Sequence, residues 1–294
     1  MAESIMGFRT IVIKNRCKLS YSLNYLVYRG EEDYKINLNE ITSLIIESTA
    51  VSITTSLISE LSDRKINVIF CNSKHNPEAQ LIPLYNSHNS FLKIQEQISW
   101  GDNIKGSVWK RIVEEKIVNQ AANIDRYCEE KTNRLKEYKN EVLEGDLSNR
   151  EGHAAKVYFN LLFGKEFTRG SDCFINAVLN YGYTILLSMF NRAIISYGYL
   201  TQIGIHHKNE YNSFNLSCDL IEPFRPIIDN YALSGLLNES NFKKKLNDIG
   251  SIKMIIKNQK TDLENSIKLY CSSVFRALNE KDSTLIDFFN QYEL

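Results

Sequence analysis

Acidic and imidazole side chains that could bind a metal ion are concentrated in two parts of the chain. Asp219 and Glu222 are three residues apart, so both carboxylates would lie on one face of a helix. His206 and His207 come shortly before them, and Glu151 stands in a polar segment further upstream. Acid, imidazole and acid on three separate elements can converge on one ion. Such mixed oxygen and nitrogen ligands suit Mn²⁺ or Mg²⁺ better than a closed structural zinc site.

Two prolines, Pro223 and Pro226, follow this pair of acids. A proline inside a helix leaves the carbonyl four residues back without its hydrogen bond and tends to kink the helix axis. An ordinary surface helix gains nothing from a kink, so the stretch is predicted to shape a site. Arg225 either pairs with one of the acids or reaches a phosphate, and we favour the pairing.

Taken alone, each candidate residue has an ordinary structural interpretation. Ser148-x-x-Glu151 has the pattern of a helix capping box, which needs no metal and is compatible with one. His207 alone is typical of an exposed or hydrogen-bonded histidine, and Glu222 of a solvated helix residue. Asp219 is either an acid on the helix face or the acceptor that orients His207.

Three short motifs lie in order along the chain. They are Asn-Arg-Glu-Gly-His at 149–153, Gly-x-x-His at 204–207 and Asp-Leu-x-Glu-Pro-Phe-Arg-Pro at 219–226. In this combination they resemble the CRISPR spacer-acquisition integrase, CRISPR-associated protein one. The segments at 158–160 and 201–204 are most similar to the type II-A branch. The resemblance extends from near the first strand to about Asp229, and more weakly to the end.

The resemblance implies that Glu151, His207 and Glu222 are the catalytic residues and bind Mg²⁺ or Mn²⁺. Counting from Gly204 selects His207, whereas counting from another residue would select His206. The implied activity is that of a DNA integrase or endonuclease, which joins the 3′-hydroxyl ends of captured DNA to the CRISPR repeat by transesterification. The substrate hydroxyl is then the nucleophile, which agrees with the absence of a Ser/His/Asp or Cys/His signature.

Two other functions are compatible with the same residues. One is a stand-alone metal-dependent nuclease acting on branched DNA or RNA, and the other is a non-catalytic DNA-binding scaffold whose acids only brace helices. The partners implied by the resemblance are DNA, a second copy of the chain in a homodimer, and CRISPR-associated protein two in a heteromeric integration complex. A type II-A system would add the effector nuclease and the ring-shaped DNA-end protein Csn-two.

The charge balance argues mildly against nucleic-acid binding. Lys and Arg total 35, as do Asp and Glu, which gives a net charge of +0. Binding would therefore need a local basic face. One run is opposed within its segment only by Asp248, and it consists of Lys243, Lys244, Lys245, Lys253, Lys257 and Lys260. It is either a solvated face or a surface that follows DNA phosphates.

The composition predicts a cytoplasmic protein that does not cross a membrane. The six cysteines are scattered and none forms a CxxC pair. The first residues lack the apolar core of a secretory signal, and no run is long enough to span a bilayer. We therefore expect a reducing compartment and free thiols.

The hydrophobic pattern of the segments that carry these residues predicts an α+β fold with two domains. A β-rich N-terminal domain with one helix is expected over 1–86, followed by a larger all-α-helical domain over 87–294 that carries the metal site. The expected helix starts at Ser52 or Thr54 and runs through Leu61. Runs typical of strands lie at Arg9–Lys14, Lys18–Arg29 with a turn near Ser22–Asn24, Lys35–Leu38, Ile41–Glu47, Ile66–Cys71 and Gln80–Tyr85.

From Phe91 onward, the apolar residues recur with the spacing of an α-helix. A long amphipathic helix is predicted by the stripe of Ile104, Val108, Ile112, Ile117, Ala121 and Ile124. A second long helix is predicted over Asp172–Tyr197, ending before Gly198. Shorter helices are expected over Glu239–Asn247 and Asp262–Asn279.

Overall fold

The computed structural model describes residues 9–83, 89–127 and 132–293. The chain divides into two compact units. The first consists of Met1–Tyr85 and Lys244–Ser251, and the second of Asn86–Lys243 and Ile252–Leu294. The grouping of 244–251 with the first unit is not apparent from the sequence.

Membrane-spanning helices and cysteine pairing were both addressed by the sequence. None of the helices in the described part of the chain combines the length and hydropathy of a membrane-spanning segment. The five described cysteines are free thiols, as expected, namely Cys17, Cys71, Cys173, Cys218 and Cys271. The sixth, Cys128, lies outside the described residues.

The first unit is built from strands and one helix. Its described elements are β1 (Arg9–Ile13), β2 (Cys17–Ser22), β3 (Tyr25–Arg29), β4 (Asp33–Asn37), β5 (Ile41–Ile46), β6 (Val51–Ile53), α1 (Thr55–Asp63), β7 (Asn67–Cys71) and β8 (Pro77–Gln80). One sheet has the order β1-β5-β7-β8, in which only β8 is antiparallel to its neighbour. The other has the order β4-β3-β2-β6, with a parallel β2–β6 pair.

A shared core joins these sheets to α1. Leu57 and Leu61 of α1 are fully buried and pack with residues of both sheets. The hydroxyl of Thr54 accepts a hydrogen bond from the backbone N–H of Leu57 at 3.4 Å, so the predicted N-terminal cap is confirmed. The predicted turn between β2 and β3 is also confirmed, since Leu23 and Asn24 adopt left-handed conformations (φ 47° and 71°) as a two-residue hairpin turn requires.

One strand prediction in this unit is wrong in position. The structure has β8 at Pro77–Gln80, whereas the sequence predicted Gln80–Tyr85. A tight turn with His75 in the left-handed region (φ 59°) returns the chain directly onto β7, so pairing starts earlier than the apolar run. Residues 84 and 85 of the predicted strand lie outside the described residues.

Helices dominate the second unit. Its described helices are α2 (Ser90–Ser99), α3 (Asp102–Asp125), α4 (Asn133–Asn140), α5 (Arg150–Phe163), α6 (Phe174–Ser196), α7 (Asn215–Leu220), α8 (Arg225–Leu233) and α10 (Leu263–Glu280), while α9 (Phe242–Asn247) spans the point where the chain leaves this unit. All six residues of the predicted stripe in α3 are buried. The two long predicted helices, α3 and α6, are thereby confirmed, and α3 packs against α4, α5, α8 and α10.

The prediction of an all-α-helical second domain is wrong, because a three-stranded sheet lies in this unit. Its strands are β9 (Lys253–Ile256), β10 (Gln259–Asp262) and β11 (Phe289–Glu293), in the order β10-β9-β11. Lys257 and Asn258 are both left-handed (φ 52° and 59°) and form the hairpin turn between β9 and β10. In β9, Met254 and Ile256 are buried while Lys253 is exposed and Ile255 is half-buried, as in a strand with one face towards the core.

Candidate active site

The regular α-helix is interrupted where the acidic pair lies. Helix α7 ends at Leu220, a 3₁₀ turn occupies Glu222–Phe224, and α8 starts at Arg225. Each proline sits at the start of one of these segments, where its missing N–H leaves no broken hydrogen bond. The regular α-helix is thus interrupted at the prolines, while the predicted kink of its axis stays a prediction. The prediction that both acids lie on one helix face is not confirmed, because the backbone is not one continuous α-helix and the two acids bond to different partners.

Asp219 holds the histidine loop in place. It is fully buried, and its oxygens accept hydrogen bonds from the backbone N–H groups of Ile205, His206 and His207 at 2.7, 3.1 and 3.0 Å. A Cβ on Gly204 would lie 2.6 Å from Asp219 Oδ2 and 2.5 Å from the carbonyl oxygen of His207, so only glycine fits there. The carboxylate therefore fixes the path of the loop, which supports the second of its two predicted roles.

The same acid orients the ring of His207. Asp219 Oδ1 lies 2.6 Å from His207 Nδ1, which leaves Nε2 as the free ring nitrogen. This hydrogen bond raises the pKa of His207 against the opposing effect of burial, and the charges of Glu222 and Glu151 raise it further. The imidazole is therefore within electrostatic range of both acids, and 43% of its side chain is exposed.

His206 takes a different position. Its ring stacks on the buried indole of Trp109, with the ring centres 4.3 Å apart and the planes 5° from parallel. Burial lowers the pKa of His206, so its ring favours the neutral form. Trp109 also contacts His207, edge to face with the ring centres 5.8 Å apart. The two histidines differ in their side-chain bonding, because the ring of His207 is bonded to Asp219 whereas His206 reaches Asp219 through its backbone N–H.

Glu151 lies in the first turn of α5, but the predicted capping box is wrong. Asn149 precedes the helix in a left-handed conformation (φ 50°) without a side-chain cap. Asp146 caps the helix instead, because its two oxygens accept from the N–H groups of Arg150 and Glu151 at 2.8 and 2.9 Å. Ser148 is turned away and bonds to the carbonyl of Glu141 at 3.3 Å. The side chain of Glu151 is thus free of any capping role.

A buried lysine joins the two predicted glutamate ligands. Lys116 Nζ donates to Glu151 Oε1 and to Glu222 Oε2, and 7% of its side chain is exposed. Burial alone would lower the pKa of Lys116, but the carboxylates of Glu222 and Glu151 outweigh it and raise the pKa. Lys116 is therefore an ammonium ion held between two carboxylates.

Glu222 also binds Arg225. The guanidinium Nε donates to Glu222 Oε1 at 2.8 Å, which confirms the pairing favoured from the sequence. Burial would raise the pKa of Glu222, but the charges of Arg225 and Lys116 lower it to about 2. The guanidinium lies over the ring of Tyr183, 4.6 Å from its centre, and binds the oxygen of Glu222 that Lys116 does not contact.

The donor set fits a divalent cation chemically. Two carboxylates already turn towards one positively charged atom, and a histidine with a free Nε2 lies within their electrostatic range. Within residues 9–83, 89–127 and 132–293, however, no three acidic, histidine or cysteine side chains are close enough to form a complete ligand set. The assignment of Glu151, His207 and Glu222 as metal ligands stays a prediction.

An open polar cleft of about 380 Å³ borders His207. Its lining includes Lys105 and Lys208 together with several asparagines. Glu210 also lines the cleft, so its charged residues are of both signs.

The lysine run is divided in the structure. Lys257 and Lys260 form ion pairs with Asp287 and Glu293 at 2.7 and 2.9 Å, acids that lie outside the segment considered in the sequence. Lys243 lies over the ring of Tyr181. The run is therefore shared between the two units and partly neutralised, and its predicted role on DNA stays a prediction.

Two residues of the site were missed from the sequence, namely Lys116 and Trp109. Lys116 is four residues after Ile112 on the buried stripe of α3, and a lysine on an apolar stripe is a signal of a buried ion pair. Trp109 lies beside Val108 on the same stripe and gives no signal beyond that of a core aromatic residue.

Comparison with known proteins identifies the class to which this fold and site belong. Residues 10–261 match the sequence profile of the family described as CRISPR associated protein Cas1. The CRISPR-associated endonuclease Cas1 of Neisseria meningitidis is 35% identical over 226 residues, which cover 76% of this chain and 74% of that protein. The chain belongs to the CRISPR-associated Cas1 family. Its position within the type II-A branch stays a prediction.

Solved structures share the fold at low sequence identity. A casposase bound to integration product has a TM-score of 0.78 at 17% identity, with 94% of this chain and 93% of that chain covered. A Cas6-RT-Cas1–Cas2 complex has a TM-score of 0.73 at 17% identity, and the similarity spans 96% of this chain but 36% of the longer one. The β-rich N-terminal and helical C-terminal arrangement is thus that of the Cas1 fold.

Proposed function

We propose that this protein is a metal-dependent DNA integrase of CRISPR adaptation. It joins the 3′-hydroxyl ends of captured DNA fragments to the CRISPR repeat by transesterification. The observation that carries the proposal is the convergence of Glu151 and Glu222 from separate elements on one cation, beside an imidazole held by Asp219, in a chain of the Cas1 family.

Glu151, His207 and Glu222 would hold Mg²⁺ or Mn²⁺. When bound, the ion polarises the scissile phosphate and stabilises the leaving oxygen. Asp219 keeps the proton of His207 on Nδ1, so that Nε2 presents its lone pair to the site. Arg225 fixes the orientation of Glu222, and the cleft beside His207 admits the DNA backbone.

No side chain of the protein needs to act as a nucleophile. The 3′-hydroxyl attacks the phosphorus and loses its proton as the existing phosphodiester bond breaks, and the leaving 3′-oxygen takes up a proton. The number of phosphodiester bonds is therefore unchanged and no external energy source is needed. The task of the protein is to align the two DNA ends and to balance the charge at the phosphate.

The proposed partners follow from the family. They are DNA, a second copy of the chain and CRISPR-associated protein two, and the solved Cas6-RT-Cas1–Cas2 complex supports the last of these. For a type II-A system we add the effector nuclease and Csn-two. The proposed location is the cytoplasm.

Integration in a purified system tests this function. The protein and its presumed partner are incubated with a short duplex bearing 3′-hydroxyls and a supercoiled plasmid carrying a CRISPR array. We expect ligated product with Mn²⁺ or Mg²⁺ and none with a chelator, or with a duplex whose 3′ ends are dideoxy. Ligated product in the presence of chelator would refute the metal requirement.

A second function is endonuclease activity, which is favoured by the similarity to the CRISPR-associated endonuclease of Neisseria meningitidis, and we propose branched DNA as its substrate. In that case the same site would use water in place of the 3′-hydroxyl. Cleavage of a branched substrate without ligated product, in the same assay, would select the nuclease. Binding to DNA with neither product would select the non-catalytic scaffold.

A further inference from the structure

Lys116 is the best buried cation in the candidate site, and the proposed chemistry gives it no role. Its ammonium group contacts one oxygen of Glu151 and one oxygen of Glu222, although these residues are 71 positions apart in the chain. Three helical segments therefore meet at Nζ. A lysine that is 7% exposed must be paired, because an isolated buried charge is strongly unfavourable.

The charges around Lys116 balance without any further ion. Glu151 and Glu222 carry two negative charges, while Lys116 and Arg225 carry two positive ones. Adding a divalent cation between the same carboxylates would leave the cluster with a net charge of +2. Like charges at contact distance in a buried site repel strongly, so binding of the divalent ion is favoured when one resident cation leaves.

Lys116 is the cation that can leave. Arg225 binds the other oxygen of Glu222 and is held over the ring of Tyr183, so its position is fixed twice. Lys116 has a flexible four-carbon stem and contacts the oxygens that face the space between the two acids. Metal ligation needs those same oxygens.

We propose that Lys116 is the built-in counter-ion of the metal-free site, and that a divalent cation binds by displacing its ammonium group from Glu151 and Glu222. This inference rests on the proposed assignment of the two glutamates as metal ligands. Lys116 keeps the carboxylates together before the metal arrives and lowers the affinity for the metal by competing for the same oxygens.

Calorimetric titration of the full chain with Mn²⁺ tests the competition. Lys116→Met removes the ammonium group while keeping an unbranched side chain, so we expect it to bind Mn²⁺ at least about tenfold more tightly than the wild type. Lys116→Arg keeps the charge and should bind no more tightly than the wild type. Lys156→Met is the matched control, because this exposed lysine lies on the same helix as Glu151 and its loss changes the net charge equally.

Chemical labelling of the wild-type protein tests the displacement without any variant. Reductive methylation followed by mass spectrometry reports the accessibility of each lysine amine. We expect Lys116 to react slowly in chelator and several-fold faster in Mn²⁺, with Lys156 unchanged. This measurement decides the matter if Lys116→Met does not fold.

The outcomes separate this inference from the proposed function. Equal Mn²⁺ affinity in Lys116→Met and the wild type, or unchanged labelling of Lys116 in a protein that binds Mn²⁺, would overturn the displacement and leave the metal site intact. Failure of both the wild type and Lys116→Met to bind Mn²⁺ would instead remove the metal site itself.

Discussion

Replacement of Glu222 by glutamine should destabilise the second unit in the absence of metal. The side chain of Glu222 is 7% exposed and binds two cations, Lys116 through Oε2 and Arg225 through Oε1. Glutamine keeps the volume of the side chain but removes its negative charge. Lys116 would then be buried with Glu151 as its single charged partner, and a buried pair broken on one side is strongly destabilising.

The pKa of Glu222 gives the size and the pH dependence of this loss. Burial opposes ionisation, but Arg225 and Lys116 lower the pKa from 4.5 to about 2. One pKa unit corresponds to about 1.4 kcal/mol, so the ionised carboxylate contributes about 3 kcal/mol to the free energy of unfolding at pH 7. Because the folded-state pKa is depressed, this contribution is complete above the unfolded value and is lost as the pH falls towards 2. At pH 3.5 about 2 kcal/mol should remain.

Tryptophan fluorescence during urea unfolding measures this stability selectively. The chain has two tryptophans, Trp100 and Trp109, and both belong to the second unit. Wild type and Glu222→Gln are compared in chelator at pH 7 and pH 3.5. Glu137→Gln is the matched control, since Glu137 also pairs with an arginine three residues away, but with 56% of its side chain exposed. Glu137→Gln should lower the free energy of unfolding by less than about 1 kcal/mol.

Equal or smaller loss of unfolding free energy in Glu222→Gln than in Glu137→Gln at pH 7 would refute a stabilising role for the buried carboxylate. The same loss of unfolding free energy in Glu222→Gln at both pH values would also refute it, because that result would mean that the carboxylate charge is not what stabilises the site. A loss that grows between pH 3.5 and pH 7, in Glu222→Gln alone, is the expected pattern.

Three further predictions concern activity, metal and DNA. Alanine at His207 should abolish strand transfer, while alanine at His206 should reduce it modestly at most; circular dichroism checks the folding of both, and the reverse pattern would move the ligand by one residue. Chelator should abolish strand transfer but change the melting temperature little, because Lys116 balances the acids without metal; a large drop on chelation would indicate a structural ion. Changing Lys243, Lys244 and Lys245 together to glutamate should weaken DNA binding and reduce its salt dependence, as measured by fluorescence anisotropy at several salt concentrations. An unchanged salt slope would mean that these lysines form a solvated face.

Local patterns in the sequence were sufficient for the long helices and restricted Asp219 to two roles. The apolar stripe of α3 continues for more than five turns, so the period alone defines the helix. Asp219 was predicted to orient His207 as one of two possibilities, because the histidine loop and the acid are close in sequence. These features depend on neighbours along the chain, which the sequence displays directly.

Features that depend on distant partners could not be predicted in this way. Glu222 and Lys116 are 106 residues apart, and no local sequence pattern around either residue predicts that the two form an ion pair. The cap of α5 was assigned to Ser148, but a 3₁₀ turn with Gly145 in a left-handed conformation (φ 66°) brings Asp146 to the helix instead. Both residues are good capping types, so the choice is made by backbone geometry rather than by composition.

Each proposed metal ligand has an anchor that does not involve a metal. Asp219 holds His207, Asp146 holds the first turn that carries Glu151, and Arg225 holds Glu222. The conformational entropy of ordering these side chains is therefore lost when the protein folds and not when the ion binds. A site ordered in advance has to solve the repulsion between its two carboxylates, and a displaceable lysine solves it without adding a second permanent charge. A site whose ligands are ordered before the ion binds therefore also needs a cation such as Lys116 between its carboxylates.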